Sequence, residues 1–543
     1  MRRFDNGSSL KDQKGLWAEY CGFLDLSIQE YMAMQERLLL EQVNILNGTG
    51  LGRRFFDGAP PKNIDEFRAR IPLTTYEDYA DILLNRREDM LPQKPSIWIR
   101  TTWEGGKHPI KYAPYTPSML EAYRRNLIAA MMLATSSERG KTSIRAHDKI
   151  LYGLAPLPYA TGLFPHVIES YLTLDFLPPL NVASSMSMSD ASKLGFKMGL
   201  KDGMDLFFGM ASVACRIGEK FTLDGQKEPE KDDGESAAFE VKTTPGMAVR
   251  AMRARSRARK EGRGVRPKDA FSLKGLVIAG TDSAVYKEKI QEQWGIRPHE
   301  VSGGTESTII GTETWTHDGM IFFPDSNFYE FIPETDMRRN SEDPSFVPRT
   351  LLMNELKAGE NYEAVLTTLH GGAFLRYRLG DMYRCVAERD NKARIDLPVM
   401  QFIDRVPDTI DIAGFTRITA ETIDEVLRLS RLELSRYIAV KDYDDQKRPY
   451  MKLYVEMDRH AVLGSAATER LVKDHISAYF HYVDSDYGDL KRLLGMDPLT
   501  VELLPMGCIE DYERETGRKL RPVNPPRFDV IELLRRVRPT RFN

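Results

Sequence analysis

Three short segments of the chain combine glycine with side chains that can hold a nucleotide. They are residues 302–306 (Ser-Gly-Gly-Thr-Glu), 377–381 (Tyr-Arg-Leu-Gly-Asp) and 402–408 (Phe-Ile-Asp-Arg-Val-Pro-Asp). Backbone N–H groups and a threonine hydroxyl suit phosphate, a glutamate suits Mg²⁺, and an aspartate can accept hydrogen bonds from both hydroxyls of a ribose. Each segment alone is a weak signal. Together, spread over about a hundred residues, they favour a nucleotide site.

The first segment supplies the phosphate and metal contacts of this predicted site. Gly303, Gly304 and Thr305 would face phosphate, and Glu306 would hold Mg²⁺. We treat Thr305 and Glu306 as catalytic because charge on the reacting phosphate must be neutralised there.

The other two segments supply the ribose contacts. Asp381 follows a strand-like run over residues 362–368 and a predicted glycine turn at the end of that strand. With Tyr377 it is assigned to the nucleotide, and Arg405, in a turn-forming context, is assigned to ribose or phosphate and to catalysis.

The elements around these segments follow an α/β pattern. Residues 276–279 (Leu-Val-Ile-Ala) predict a short buried strand, Gly280 and Thr281 predict a turn, and a helical pattern begins at Ala284. Ligands of α/β sheets gather where strands end, so the turn is a further candidate nucleotide contact.

The length of 543 residues predicts more than one domain. We expect a large N-terminal domain over residues 1–405, with a helical start over about 1–95 and a flexible acidic and basic insert over about 219–268. A smaller, mobile C-terminal α/β domain would cover 406–543. Its predicted helices and strands lie at 420–432, 435–440, 452–456, 468–480 and 501–504.

Composition excludes several classes of partner. A net charge of −3 gives no reason to expect nucleic acid or an anionic membrane.

The four cysteines are scattered, which predicts buried thiols in a reducing compartment. The most apolar tract, residues 150–180, contains five prolines and is predicted to be core. No apolar signal region follows the first residues, so we expect a cytoplasmic protein.

At the three segments the chain resembles the Gretchen Hagen (auxin-responsive promoter) family of acyl-acid amido synthetases, a branch of the acyl-adenylate-forming enzymes. The resemblance covers roughly residues 60 to 430. It includes residues 152–162, 205–209, 286–294, 359–363 and 410–417.

The resemblance implies a function and its substrates. A small carboxylic acid would attack ATP in the presence of Mg²⁺, and an amine, in most relatives that of an amino acid, would then displace AMP. It also implies a first phosphate loop containing Thr101, Thr102, Gly105 and Gly106, and a position beside the adenine for the turn at Gly280.

Four positions depart from the family pattern. Trp103 and Glu104 replace small and hydroxyl residues in the first phosphate loop, where a carboxylate would repel phosphate. Ser302 stands where an aromatic residue often stacks on adenine, and Asn524 where the family carries a lysine before Pro-Arg. Two alternatives therefore stay open: acyl transfer to a thiol such as coenzyme A, and a catalytically degenerate binding protein of the same fold. No motif indicates the oligomeric state.

Overall fold

The computed structural model describes residues 10–537 except a set of internal gaps. These gaps are residues 102–106, 154–155, 170, 185, 187, 222–243, 407, 415, 431–435, 457–464 and 485–486. The chain divides into a larger unit, Met1–Arg100 with Tyr112–Ile403, and a smaller unit, Thr101–Lys111 with Asp404–Asn543. The corresponding boundary in the sequence prediction is residue 406.

The larger unit contains fourteen helices within the described residues. They are α1 Leu10–Cys21, α2 Ile28–Leu46, α3 Gly50–Phe55, α4 Ile64–Arg70, α5 Ala80–Leu83, α6 Pro117–Ala134, α7 Leu163–Ile168, α8 Leu180–Ala183, α9 Met188–Asp202, α10 Ala211–Lys220, α11 Pro245–Lys260, α12 Pro267–Ala270, α13 Ser283–Trp294 and α14 Glu334–Glu342. The first five form the helical start that the sequence predicts. Its longest member, α2, begins at a reciprocal capping box between Ser27 and Glu30.

The strands of this unit are β1 Ile97–Arg100, β2 Tyr112–Tyr115, β3 Ser136–Glu138, β4 Lys141–Thr142, β5 Lys149–Gly153, β6 Asp175–Leu177, β7 Leu206–Met210, β8 Gly275–Ala279, β9 His299–Gly304, β10 Thr308–Glu313, β11 Met320–Phe322, β12 Asn327–Pro333, β13 Asn361–Thr368, β14 Tyr377–Ala387 and β15 Val399–Arg405. The chain passes into the smaller unit within β15.

Eleven of these strands, counted over the described residues, form one sheet. Their order is β12-β13-β14-β15-β11-β10-β9-β8-β7-β5-β6. Strands β5 to β9 are parallel, whereas β9–β10, β10–β11, β11–β15, β12–β13 and β13–β14 are antiparallel. Parallel strands are covered on both faces, which explains the continuous apolar run of β8. The predicted α/β fold class is confirmed, as are the strand β8 and the helix α13 that comes after it.

The segment containing Asp381 differs from its prediction. Residues 377–381 do not form a turn at the end of the strand over 362–368; they lie inside the next strand, β14. Gly380 has φ +75° and the pairing with β13 shifts there, so the segment is a bulge within a ladder. Sequence periodicity does not distinguish a glycine bulge from a glycine turn, because both need the same positive φ.

Part of the predicted flexible insert is helical. Residues 222–243 lie outside the described residues, but α11 occupies most of the remaining insert, with Ala254 and Ala258 buried. Beyond the helix, Arg263 pairs with Asp269 at 2.7 Å. The buried alanines let this arginine-rich helix pack without large apolar side chains at those two positions.

The smaller unit has its own cores. Its helices are α15 Ala420–Ser430, α16 Ser465–Val483, α17 Tyr487–Leu494, α18 Cys508–Thr516 and α19 Arg527–Val537, and its strands are β16 Thr409–Ile412, β17 Thr416–Thr419, β18 Tyr437–Tyr443, β19 Pro449–Glu456 and β20 Leu499–Leu504. Side chains of β19 alternate between two clusters: Met451 and Leu453 pack in one, and Tyr454 packs in the other. The predicted helices α15 and α16 and strands β18, β19 and β20 are confirmed within the described residues, while predicted positions 431, 432 and 435 lie outside them.

All four cysteines are free; Cys21, Cys215 and Cys385 are buried, as predicted, whereas Cys508 is half-buried. Burial raises the pKa of Cys385 to about 11 and of Cys215 and Cys508 to about 12, and it raises the pKa of Cys21 further. Reactive thiolates are therefore disfavoured at all four positions.

Among the described residues, no helix is both long and apolar enough to cross a bilayer.

Candidate nucleotide site

Two predicted glycine segments lie at the carboxyl ends of neighbouring parallel strands. Val277 and Ile278 of β8 pair with the first residues of β9, so Gly280 and Gly303 extend adjacent strands toward the same edge. Gly280 has φ +119°, a conformation that other residues rarely adopt. Thr281 comes next, before the helix α13 begins. This edge is where α/β sheets bind ligands.

A close backbone contact explains the glycine at position 303. A Cβ there would lie 2.3 Å from the carbonyl oxygen of Thr308 on β10, closer than any side chain tolerates. The bulged β9–β10 hairpin therefore requires glycine at this point. Its turn presents Gly304, Thr305 and Glu306 in succession.

A buried tyrosine holds the turn of this hairpin. The hydroxyl of Tyr115, on β2, donates to the carbonyl oxygen of Thr305 at 2.8 Å. Burial raises the pKa of Tyr115 well above its ordinary value, so the phenol stays protonated and remains a donor. The sequence did not identify Tyr115, because an aromatic residue on a strand is most often simply core.

Two tyrosines of β14 connect the hairpin to the bulge that carries Asp381. The hydroxyl of Tyr377 donates to Oε1 of Glu306 at 3.1 Å, and the hydroxyl of Tyr383 lies 2.7 Å from Oγ of Ser302. These contacts flank Asp381, itself buried at 6% exposure. The structure thus brings the first two predicted segments together, and it uses Ser302 as a hydrogen-bonding residue rather than a stacking one.

An ion pair fixes the start of β14. Arg376 binds Glu330 of β12 through two hydrogen bonds of 2.8 and 2.9 Å and also donates to the carbonyl oxygen of Ile71. All three contacts lie in the interior, and Arg376 has φ +43°. Because Tyr377 is the next residue, this pair determines where its hydroxyl reaches Glu306.

The remaining predicted residues belong to the smaller unit. Thr101 and Lys111 form a short backbone pairing, with Thr101 N–H donating to Lys111 O at 3.0 Å. Thr102, Trp103, Glu104, Gly105 and Gly106 lie outside the described residues. The backbone N–H of Arg405 donates to Oδ1 of Asp404 at 2.8 Å.

The asparagine found in place of the family lysine has a structural position. Asn524 Oδ1 accepts from the backbone N–H of Lys441, and its amide donates to the carbonyl oxygen of Thr409. Its φ of +42° suits asparagine better than lysine. The neighbouring strand β18 carries a buried lysine that the motifs did not indicate: the ammonium of Lys441 lies 3.8 Å from Asp404.

The aromatic segments near residues 152–208 are mostly core. Phe164 packs edge-on against Phe208 at 4.7 Å and stacks on Tyr152, whereas Phe207 faces the opposite side of the sheet against Trp294. Tyr152 is half-buried, and its hydroxyl donates to the carbonyl oxygen of Thr161.

Two histidines of the larger unit, His166 and His370, have different environments. His370 donates from Nε2 to the carbonyl oxygen of Asp325 at 2.7 Å, which makes it a structural residue. His166 is exposed on α7. Neither arrangement resembles a general base held against a reacting group.

The donor set of the turn fits Mg²⁺. Magnesium is held in nucleotide-dependent enzymes by one or two carboxylates together with the substrate phosphates. Glu306 supplies a buried carboxylate, and the Tyr377 hydroxyl orients it through one oxygen.

The whole chain has the fold of acyl-adenylate-forming ligases. It is similar to the acyl acid amido synthetase AtGH3.15 in complex with 2,4-DB, with a TM-score of 0.55 at 15% identity over 98% of this chain and 97% of that one. It is also similar to 2-hydroxyisobutyryl-CoA ligase in complex with 2-HIB-AMP and CoA, with a TM-score of 0.53 at 16% identity over 93% of this chain and 88% of that one.

Within this class, one family model matches the chain. Residues 320–405 match the GH3 family central domain, which includes β14 and its Asp381 bulge. The Gretchen Hagen family resemblance predicted from the motifs is thereby confirmed. No curated protein matches the chain.

Proposed function

We propose that the protein activates a small carboxylic acid by ATP-dependent adenylation and transfers the acyl group to an amine. The hydrogen bond between Tyr377 and Glu306 carries this proposal. It joins the hairpin at the carboxyl ends of the parallel strands to the bulge that presents Asp381.

The chemistry has two displacements. A carboxylate oxygen of the acid attacks the α-phosphorus of ATP, a new P–O bond forms, and the bond to pyrophosphate breaks. The acceptor nitrogen then attacks the acyl carbon, the C–O bond to AMP breaks, and the amine loses a proton. The protein contributes mainly by alignment and by neutralising charge on the phosphate.

The residues predicted to contact phosphate, Mg²⁺ and ribose each have a role in this scheme. The backbone of Gly303 and Gly304 and the hydroxyl of Thr305 would contact the phosphate, and Glu306 would hold Mg²⁺, which screens the phosphate charge. Asp381 would accept from the ribose hydroxyls. Arg405 would contact ribose or phosphate, and the family resemblance assigns Thr101 to the first phosphate loop.

The acceptor is the open part of the proposal. An amine is favoured by the family match over residues 320–405, because the similar structure from that family is an amido synthetase. Transfer to coenzyme A is the second candidate, supported by the comparable similarity to a CoA ligase. A degenerate binding protein remains the third, since Trp103 and Glu104 alter the first phosphate loop.

Hydroxylamine trapping tests the adenylation step. The full chain is incubated with ATP, Mg²⁺, hydroxylamine and a panel of small carboxylic acids, and pyrophosphate and hydroxamate are measured. Acid-dependent release of both products is expected, with loss of both in Glu306→Gln. No signal across the panel, together with no ATP binding by calorimetry, would establish the degenerate scaffold instead.

The acceptor is tested with the acid found in that panel. Replacing hydroxylamine with the twenty amino acids or with coenzyme A, and detecting products by mass spectrometry, distinguishes amide from thioester. An amide is expected, and a thioester as the only product would overturn the amine assignment while leaving adenylation intact.

A further inference from the structure

A second group of chemically active side chains lies at the other end of β9 from the candidate nucleotide site. His299 is the first residue of β9, Glu313 is the last residue of β10, and His317 lies in the turn after β10. Their ligand atoms all lie within 4.8 Å of one another. The nucleotide contacts at Gly303 and Gly304 are at the opposite, carboxyl end of the same strand.

The hydrogen bonds around His299 are compatible with a metal-binding tautomer. Its Nε2 lies 2.8 Å from Oγ1 of Thr312, and that hydroxyl can donate its own proton to the carbonyl oxygen of Glu313 at 3.2 Å. With the hydroxyl used in that way, Nε2 of His299 carries the hydrogen and Nδ1 keeps its lone pair. A fixed donor on one ring nitrogen, with the other nitrogen left as a lone pair, is how metal-binding histidines are held.

The other nitrogen of His299 has no polar partner within the described part of the chain. Nδ1 is buried, and the whole residue has 0% exposure. Leaving a buried acceptor without a partner is costly, and full burial also favours the neutral ring. The ring of His317 lies nearby, with the two ring centroids 5.8 Å apart.

Carboxyl groups outnumber the ammonium beside the two histidines. Lys287 contacts Glu300 at 2.5 Å and Glu313 at 2.6 Å, so two carboxyl groups share one lysine. Glu313 uses Oε1 for Lys287, and its Oε2 accepts from the backbone N–H of Glu300 at 2.9 Å and lies 3.2 Å from Nδ1 of His317. One carboxylate oxygen thus faces the lysine while the other faces the histidine.

A cavity gives access from solvent. His317 lines a cavity of about 410 Å³ together with Ser136, Thr142, Ile296 and Arg297. The guanidinium of Arg297 donates to the main-chain carbonyl oxygen of His317 at 3.2 Å. The cavity meets the group at His317, and Lys141 and Lys274 also line it.

We propose that His299, Glu313 and His317 form a binding site for a divalent transition-metal ion of the zinc class. Two imidazoles and one carboxylate are a ligand set typical of zinc, and a water from the cavity would complete four-coordination. The ion would link β9, β10 and the turn after β10 at the base of the hairpin whose other end carries Thr305 and Glu306. It is separate from the Mg²⁺ assigned to Glu306, so this proposal stands or falls independently of adenylation.

Metal content of the full chain, purified without an affinity tag, is the direct test. The protein is stripped with a chelator, checked for fold by circular dichroism and dialysed against Zn²⁺ or Co²⁺. One bound ion per chain by mass spectrometry is expected, with a cobalt absorption spectrum typical of four-coordination and a rise in melting temperature. Less than a tenth of an equivalent at micromolar metal would overturn the proposal.

Matched variants locate the ion. His317→Gln should weaken binding at least about tenfold, since it removes a ligand. His147→Gln should not, because His147 and Asp175 form an exposed pair, 3.0 Å apart, that controls for surface binding. Equal affinity in wild type and His317→Gln, or loss only in His147→Gln, would refute the assignment.

A measurement without variants covers the case in which His317→Gln does not fold. X-ray absorption at the zinc edge of the wild-type protein should show imidazole scattering from two histidines. A shell of oxygen alone would mean that the ion is bound adventitiously elsewhere, and that His299, Glu313 and Lys287 form a closed hydrogen-bonded cluster.

Discussion

Replacing Asp381 by alanine should weaken nucleotide binding without unfolding the protein. Asp381 lies in the β14 bulge between two tyrosines that contact the hairpin, and its carboxylate would accept from the ribose. A hydrogen bond to a charged group contributes about 1.5–3 kcal/mol. The dissociation constant for ATP should therefore rise roughly tenfold to a hundredfold or more.

Calorimetry with two nucleotides makes this assay specific for ribose. Wild-type protein should bind ATP more tightly than 2′-deoxy-ATP, and Asp381→Ala should bind both equally weakly. Asp390→Ala is a matched control, because Asp390 is equally buried and its carboxylate accepts from Thr316 at 3.1 Å. Unchanged ATP affinity in folded Asp381→Ala, or a preserved preference for ATP, would refute the ribose assignment.

Three further outcomes are expected from the described contacts. Arg376→Met should lower the free energy of unfolding in urea by up to about 3–5 kcal/mol, because the buried Glu330 loses its bidentate partner and keeps only Arg68, 3.6 Å away, as a counter-charge. Tyr377→Phe should raise the Mg²⁺ concentration needed for half-maximal pyrophosphate release by about tenfold, because its hydroxyl orients the turn carboxylate. Burial by itself would raise the pKa of Asp269. Hydrogen bonds from Arg263 and from a backbone N–H have the larger combined effect, so the pKa is lowered. Its stabilising contribution is therefore present above about pH 4 and is lost as the pH falls through the lower folded-state pKa. Asp269→Asn should make stability less pH-dependent in acid, as measured by urea unfolding across a pH series.

Each of these outcomes has a control. Adding Glu330→Gln to Arg376→Met should restore part of the lost stability, and no recovery would mean that packing rather than charge is responsible. If Tyr377→Phe needs the same Mg²⁺ concentration as the wild type, the assignment of the metal to Glu306 is contradicted. If the free energy of unfolding falls equally in acid for Asp269→Asn and wild type, the group that titrates is not Asp269.

Local patterns predicted most of the elements. A stretch of about twenty residues encodes the apolar run of β8, the glycine turn after it and the start of α13. The alternation of β19 is likewise encoded by neighbouring residues. The insert was an exception, because α11 packs through the buried Ala254 and Ala258, which its strongly charged composition does not reveal. For residues 377–381 the sequence predicted a turn where β14 has a bulge, since a turn and a bulge both need glycine at position 380.

The sequence by itself determined which side chains could bind a nucleotide and where glycine had to stand. Positive φ and close backbone contact restrict residue type locally, so Gly280 and Gly303 could be recognised before any fold was known. Only the tertiary structure decided which groups meet. Tyr377 and Glu306 are 71 positions apart, and the three residues of the proposed zinc site come from two strands and a turn. Side-chain hydrogen bonds depend on distances of a few tenths of an ångström, and such distances are determined by sheet register and packing rather than by spacing along the chain.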